Sequence, residues 1–169
     1  MKTKMTAIFA TLLIALMVAG ISYAMWDKTL FIDGTVNTGE VNAAFIAYSC
    51  VETPEAEGKD VGSCSVVEGI DDQHLVVTID NGYPCYTCTV YFTIGNTGTI
   101  PVKVQSLTVV APPPEISFTF AGIAVGDQID GGASQEGSIV IHIEQSAAEL
   151  AQYLFSIEIY LVQWNEYIP

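Results

Sequence analysis

Arginine is absent from this chain, and only five lysines stand against 19 aspartates and glutamates, giving a formal net charge of −14 over 169 residues. A surface so poor in cations repels phosphate backbones, which excludes nucleic acid as a partner. It also disfavours docking on anionic lipid. Histidine is scarce, with only His74 and His142. There is no HExxH, no GxSxG and no P-loop, so the familiar zinc-protease, serine-hydrolase and nucleotide-binding signatures are missing. His142 precedes Glu144 by two positions on an outward strand face, where a solvated surface pair is the default over a ligand pair. The remaining acids read as solvated side chains that keep an exported protein soluble.

Long apolar runs are also lacking, with one exception. Lys2 and Lys4 open the chain, Ala7 to Gly20 are largely apolar, and Ser22-Tyr23-Ala24 follows with small residues at the spacing a signal peptidase reads. This is the pattern of a secretory signal peptide over residues 1–24, cut after Ala24. The apolar run is shorter than the ~20 residues that span a bilayer, which argues against a retained anchor. Contact with a membrane is then expected only during export. The chain from Met25 onward keeps all 19 acids but only Lys28, Lys59 and Lys103. It is long enough for one domain with its own core.

Cysteine is limited to Cys50, Cys64, Cys85 and Cys88. In an exported chain an even count reads as disulfides. Local bridges Cys50–Cys64 and Cys85–Cys88 are the first expectation, although three pairings are possible and sequence does not choose among them. A zinc site is the weaker reading, because a single CxxC is accompanied by two distant cysteines.

Beyond residue 28 the dominant signal is period-2 alternation, the mark of β-strands. Leu30, Ile32, Gly34 and Val36 share one face, and Val41 to Cys50 is apolar on both faces, as in a buried strand. Residues 52–63 form an exposed loop. Leu75, Val77 and Ile79 alternate with Val76, Thr78 and Asp80, and Cys88, Val90, Phe92 and Ile94 with Thr87, Thr89, Tyr91 and Thr93. Turns are expected at Asn81-Gly82-Tyr83-Pro84 and Gly95-Asn96-Thr97-Gly98. Val102 and Val104 give way to Leu107 and Val109, a parity switch that predicts a β-bulge near Gln105-Ser106. Pro112-Pro113-Pro114 ends that strand. Ile116, Phe118 and Phe120 form the next, 121–137 is a loop, and Ile139, Ile141 and Ile143 follow. Ser146-Ala147-Ala148-Glu149 matches a capping box and predicts a helical turn over 147–152. Phe155, Ile157, Ile159 and Leu161 make the last strand. The sum is an all-β protein, an antiparallel β-sandwich of jelly-roll type with one short helical turn, occupying residues 34–169.

Two acidic, glycine-bearing loops offer oxygen ligands to calcium, one around Asp71 and Asp72, the other around Asp127 and Asp130. Neither matches the EF-hand loop, so no bound cofactor is expected beyond such a cation. The aromatic side chains fall at strand spacing and read as core and cross-strand packing rather than a sugar platform.

The most informative stretch is residues 25–33, which follow the expected cut and carry Trp26, Leu30, Phe31 and Ile32. An apolar strand at a free terminus pairs either within its own sheet or with a neighbouring molecule. The second choice is donor-strand addition, and a head-to-tail contact of that kind builds a fibre. The run Phe31-Ile32-Asp33-Gly34-Thr35-Val36-Asn37-Thr38-Gly39 resembles the mature start of TasA/camelysin-type proteins. So do Asn81-Gly82-Tyr83-Pro84 and Asn96-Thr97-Gly98-Thr99-Ile100-Pro101-Val102-Lys103-Val104. The ending Ile157-Glu158-Ile159-Tyr160-Leu161-Val162-Gln163-Trp164-Asn165 is similar to that of archaeal relatives.

That family includes biofilm-matrix fibres and archaeal bundling pili. The resemblance implies a jelly-roll subunit exported by a dedicated signal peptidase and joined to further copies of itself by N-terminal donor strands. Residues 25–33 would be the donor segment, with Trp26, Leu30 and Ile32 inserted. Four cysteines exceed the number in the usual bacterial member. The metalloprotease activity assigned to some camelysins is not carried over, because no metal-ligand motif is present. The expectation is a non-enzymatic extracellular filament subunit. A monomeric secreted or cell-surface binding module is the alternative, and a camelysin-like protease the third.

Overall fold

A computed structural model describes the backbone of residues 2–22, 28–55 and 58–169, and the side chains of all of these but 20–22. The expected cleavage residues Tyr23 and Ala24, together with Trp26, lie outside the described residues. The chain divides into two compact units, Met1–Asn37 and Thr38–Pro169.

The first unit holds the single α-helix among the described residues, α1 (Lys2–Ser22). Its Lys2–Ala19 stretch is long and apolar enough to cross a membrane, a property shared by signal sequences near an N-terminus. The helix thus extends beyond the apolar run itself and takes in both lysines. Residues 28–37 contain no strand. Leu30, Phe31 and Ile32 are 89, 81 and 98 % exposed. The strand expected over Leu30–Val36 is not formed, because alternation encodes a capacity to pair and a lone strand cannot satisfy its own backbone.

The second unit is all-β. Its nine strands among the described residues are β1 (Ala43–Glu52), β2 (Ser63–Glu68), β3 (Leu75–Asp80), β4 (Thr87–Asn96), β5 (Val102–Val110), β6 (Ile116–Ala121), β7 (Gln128–Ile129), β8 (Ser134–Ile143) and β9 (Ser156–Gln163). They form three antiparallel sheets, β1-β4-β8-β6, β7-β5-β9 and β2-β3. The four-stranded sheet supplies most of the core through Cys88, Val90, Phe92 and Ile94 of β4 and Ile139, Ile141 and Ile143 of β8. Val102 and Val104 of β5 and Ile129 of β7 join it, and inward residues of β2, β3 and β9 pack against it. This is a sandwich-like arrangement in which two smaller sheets cover one larger one.

Burial follows the predicted alternation along β4, where Cys88 to Ile94 are buried at every second position and Tyr91 is exposed. The predicted bulge is present, with the β5–β9 register shifting between Val104 and Ser106. Four expectations are corrected. First, β1 is an edge strand with half of its side chains exposed rather than a strand buried on both faces, because only β4 pairs with it. Second, the expected loop 121–137 contains β7 and the first residues of β8. Third, β2 was not anticipated, since Ser-Cys-Ser-Val-Val-Glu alternates poorly. Fourth, 147–152 holds turns and no helical turn. There the Ala148 amide donates to the Tyr153 hydroxyl at 2.9 Å and Leu150 has a φ of 56°. So short a segment does not offset the cost of helix nucleation once a side chain takes its free donor.

One buried polar side chain ties the sheets together. Asn96, 1 % exposed, donates from Nδ2 to the carbonyls of Ile100 (2.8 Å) and Ile129 (3.1 Å), while its Oδ1 accepts from the Gly98 amide at 3.1 Å. The turn it organises is held from outside by the lead-in to β1. The Glu40 carbonyl accepts from Thr99 and Ile100, and that of Asn42 accepts from Thr97. Gly98 is required there, since a Cβ would lie 2.4 Å from the Glu40 oxygen.

Candidate functional site

The two smaller sheets leave strand edges open. β9 pairs on one side with β5 and β3 on one side with β2, and neither has a second neighbour among the described residues. Their inward side chains report the same gap. Leu75, Val77 and Ile79 of β3 and Ile157, Ile159 and Leu161 of β9 are only partly buried, whereas Val102, Val104 and Ile141 are 0 % exposed. A cleft of about 410 Å³ opens between Ile159-Tyr160-Leu161 of β9 and Gln73-His74 in the turn that precedes β3. Ile94 and residues 41–45 complete its lining. The side chains of Phe45, Ile94, Ile159 and Leu161 in this lining, beside the open β9 edge, suit an extended strand, because main-chain hydrogen bonds give affinity and alternate side chains fill the pockets.

The cleft rim is set by the β2–β3 turn. The Asp71 carboxylate accepts from the Gln73 amide at 3.1 Å and makes a short contact with His74 Nδ1. The His74 hydrogen bond, first among the causes, holds Asp71 below the usual carboxylate range. The Asp72 carbonyl accepts from the Phe45 amide at 2.8 Å, which fixes the turn to the start of β1. Asp127 instead caps its own loop through the Ala124 amide (2.8 Å), and Asp130 accepts from the Gln128 side chain at 2.7 Å. The four calcium candidates therefore stand as two turn-bound pairs. Among the described residues, no group of three close metal ligands includes any of them.

Of the two expected local bridges, one is formed. Cys50 and Cys64 are bridged, with Cα atoms 5.9 Å apart, so the disulfide joins β1 to β2. The expected Cys85–Cys88 bridge is not formed, and both residues carry free thiols. Cys85 sits at φ 68° in an exposed turn with its thiol against Gln145 Oε1 at 3.3 Å, while Cys88 points into the core. Cys88 in fact joins the other pair. The sulfurs of Cys50, Cys64 and Cys88 all lie within 4.8 Å of one another. The alternation that aligns Cys88 with Val90 and Phe92 is the signal that argued against a local CxxC bridge.

Carboxylates surround this corner. Tyr86 donates to Glu52 Oε2 at 2.8 Å, and burial and the Glu52 interaction raise its phenol above the ordinary value. Glu55 accepts from the Gly62 (2.8 Å) and Val61 (2.7 Å) amides, and the Gly62 bond leads the causes that lower its carboxyl. His142 is bonded to the Thr87 hydroxyl at 2.7 Å, a cross-strand pair that explains its position without a ligand.

No protein-family model, no curated protein and no solved structure matches this chain.

Proposed function

We propose that this protein is an exported, non-enzymatic structural subunit that polymerises by donor-strand addition. The leading segment of one copy would complete the β3 and β9 edges of the next. The observation that carries this reading is a complementary pair of deficits in one chain. Leu30, Phe31 and Ile32 are exposed on a segment without a strand, and β3 and β9 present half-covered apolar faces and unpaired edges. Each Leu, Ile or Phe side chain moved from water into such a cleft contributes about 1.5–3 kcal/mol. Leu30 and Ile32 share a parity, so both enter the cleft while Phe31 turns away. Trp26 has that parity too.

Export is supported by the apolar α1 and by the Cys50–Cys64 disulfide, a bond that persists in oxidising compartments. A jelly-roll connectivity and a role in a biofilm or adhesive filament, as in the TasA/camelysin-like proteins that the sequence resembles, belong to the same proposal. So does a location at or beyond the cell surface.

The test is negative-stain microscopy and size-exclusion chromatography of the chain beginning at Met25, with and without residues 25–33. Fibres from the longer form that vanish on truncation, and in the Leu30→Asp/Ile32→Asp variant, are the expected result. A persistent monomer with the leading segment intact would overturn polymerisation and favour a monomeric binding module.

A further inference from the structure

The grouping of Cys88 with the Cys50–Cys64 bridge has a chemical consequence independent of polymerisation. Three sulfurs within 4.8 Å of one another share one disulfide bond, and the third belongs to a fully buried side chain with no covalent partner. Which alternative bond is accessible follows from register. Cys50 lies opposite Val90 and Cys88 opposite Glu52, so Cys50 and Cys88 are diagonal neighbours on paired strands. Diagonal Cα atoms stand about 7–8 Å apart, beyond the span of about 6.8 Å that a disulfide bridges without backbone movement. Cys64 stands outside that register, because its sulfur reaches the group from β2 in a different sheet.

We propose that Cys50, Cys64 and Cys88 form a three-sulfur exchange centre in which the Cys64 sulfur changes partner, from Cys50 on β1 to Cys88 on β4. The Cys88 thiol loses its proton to solvent base and the thiolate attacks the Cys64 sulfur. The Cys64–Cys88 bond forms as the Cys50–Cys64 bond breaks. The electron pair of the broken bond leaves on the Cys50 sulfur, which then takes up a proton. One disulfide and one thiol are present before and after, so no oxidant or reductant is consumed.

The surroundings set the resting state. Glu52 from β1 is the charged group acting on Cys88, Tyr86 is hydrogen-bonded to that carboxylate, and Glu55 lies beyond it in the β1–β2 loop. From β8 the residue opposite Cys88 is Ile141, which is apolar. Burial, and then the Glu52 charge, push the Cys88 thiol up to about 11. The reactive thiolate is therefore a minor species at neutral pH. Cys50–Cys64 is the resting bond, and the exchanged form ties the β2-β3 ribbon to the central strand β4 while releasing the edge strand β1.

The experiment uses the full chain carrying Cys85→Ser, which removes the exposed thiol. Samples held between pH 7 and pH 9.5 are quenched in acid, alkylated with N-ethylmaleimide and mapped without reduction. Cleavage after Glu52, Asp60, Glu68 and Asp80 places the three cysteines on separate peptides. The expected result is a Cys64–Cys88 peptide together with alkylated Cys50, formed at an initial rate that rises about tenfold per pH unit. Cys50–Cys64 as the sole bridged pair after prolonged incubation at pH 9.5 would overturn the proposal. In the same background, with dissolved oxygen as the two-electron oxidant, Cys50→Ser is expected to oxidise to Cys64–Cys88, whereas Cys64→Ser leaves Cys50 and Cys88 both open to alkylation. The reverse outcome of that pair would equally sink it. If Cys50→Ser fails to fold, the exchange measured in the Cys85→Ser chain still decides the question.

Discussion

At the scale of single residues, Asn96 is the clearest case of a polar group that the fold cannot do without. Its amide satisfies two carbonyls and one backbone N–H at the junction of β4, the 97–100 turn and β7. Removing it strands those groups in a buried place, and a buried unsatisfied polar group costs about 1–3 kcal/mol. Asn96→Ala is therefore expected to lower unfolding stability by about 2–4 kcal/mol, measured by urea denaturation. Asn96→Asp should be nearly as damaging, because a carboxylate keeps the acceptor for Gly98 and loses both donors. Equal stability of the alanine variant and the parent would refute the role.

At the scale of elements, the unpaired edges of β3 and β9 make a prediction that needs no fibre. A synthetic peptide of residues 25–37, added to a chain truncated before residue 34, should slow amide hydrogen exchange selectively along β3 and β9. Edge N–H groups gain partners there, and β6 and β8 should be unaffected. Uniform protection, or none, would argue that the cleft does not receive this strand. The same elements show how much could be read in advance. Strict alternation made β4, β6 and the Ile139–Ile143 part of β8 legible, and the parity switch at Gln105-Ser106 exposed the bulge. The edge position of β1 was not legible, because an apolar run states what a strand prefers to touch and not how many neighbours it has. β7, with two residues, is shorter than any periodicity can register. The 147–152 turn failed for a related reason, since the Tyr153 hydroxyl that captures the Ala148 amide lies outside the capping-box pattern. Of the candidate site, the apolar leading segment was legible. The clefted sheet edges and the sulfur trio arise from contacts distant in sequence and were not.

At the scale of the whole molecule, charge bears on the proposed association. Copies of the chain beginning at Met25, with 19 acidic side chains against three lysines, repel one another until salt screens them. The screening length falls from about 30 Å at 0.01 M to about 10 Å at 0.1 M. Assembly of the chain beginning at Met25 is therefore expected to accelerate several-fold over that range, followed by light scattering. Slowing instead would mean that oppositely charged patches steer the encounter.

The irregular border of the larger sheet carries a consequence of its own. β1 is its outermost strand on one side, and its pairing with β4 slips between Phe45 and Ala47. A kinked rim offers an approaching strand no continuous row of evenly spaced amide groups, so lateral accretion into stacked cross-β ribbons is discouraged there. Under the proposed head-to-tail assembly such a molecule can afford sticky openings elsewhere, since growth confined to a line stays soluble where growth in a plane would precipitate.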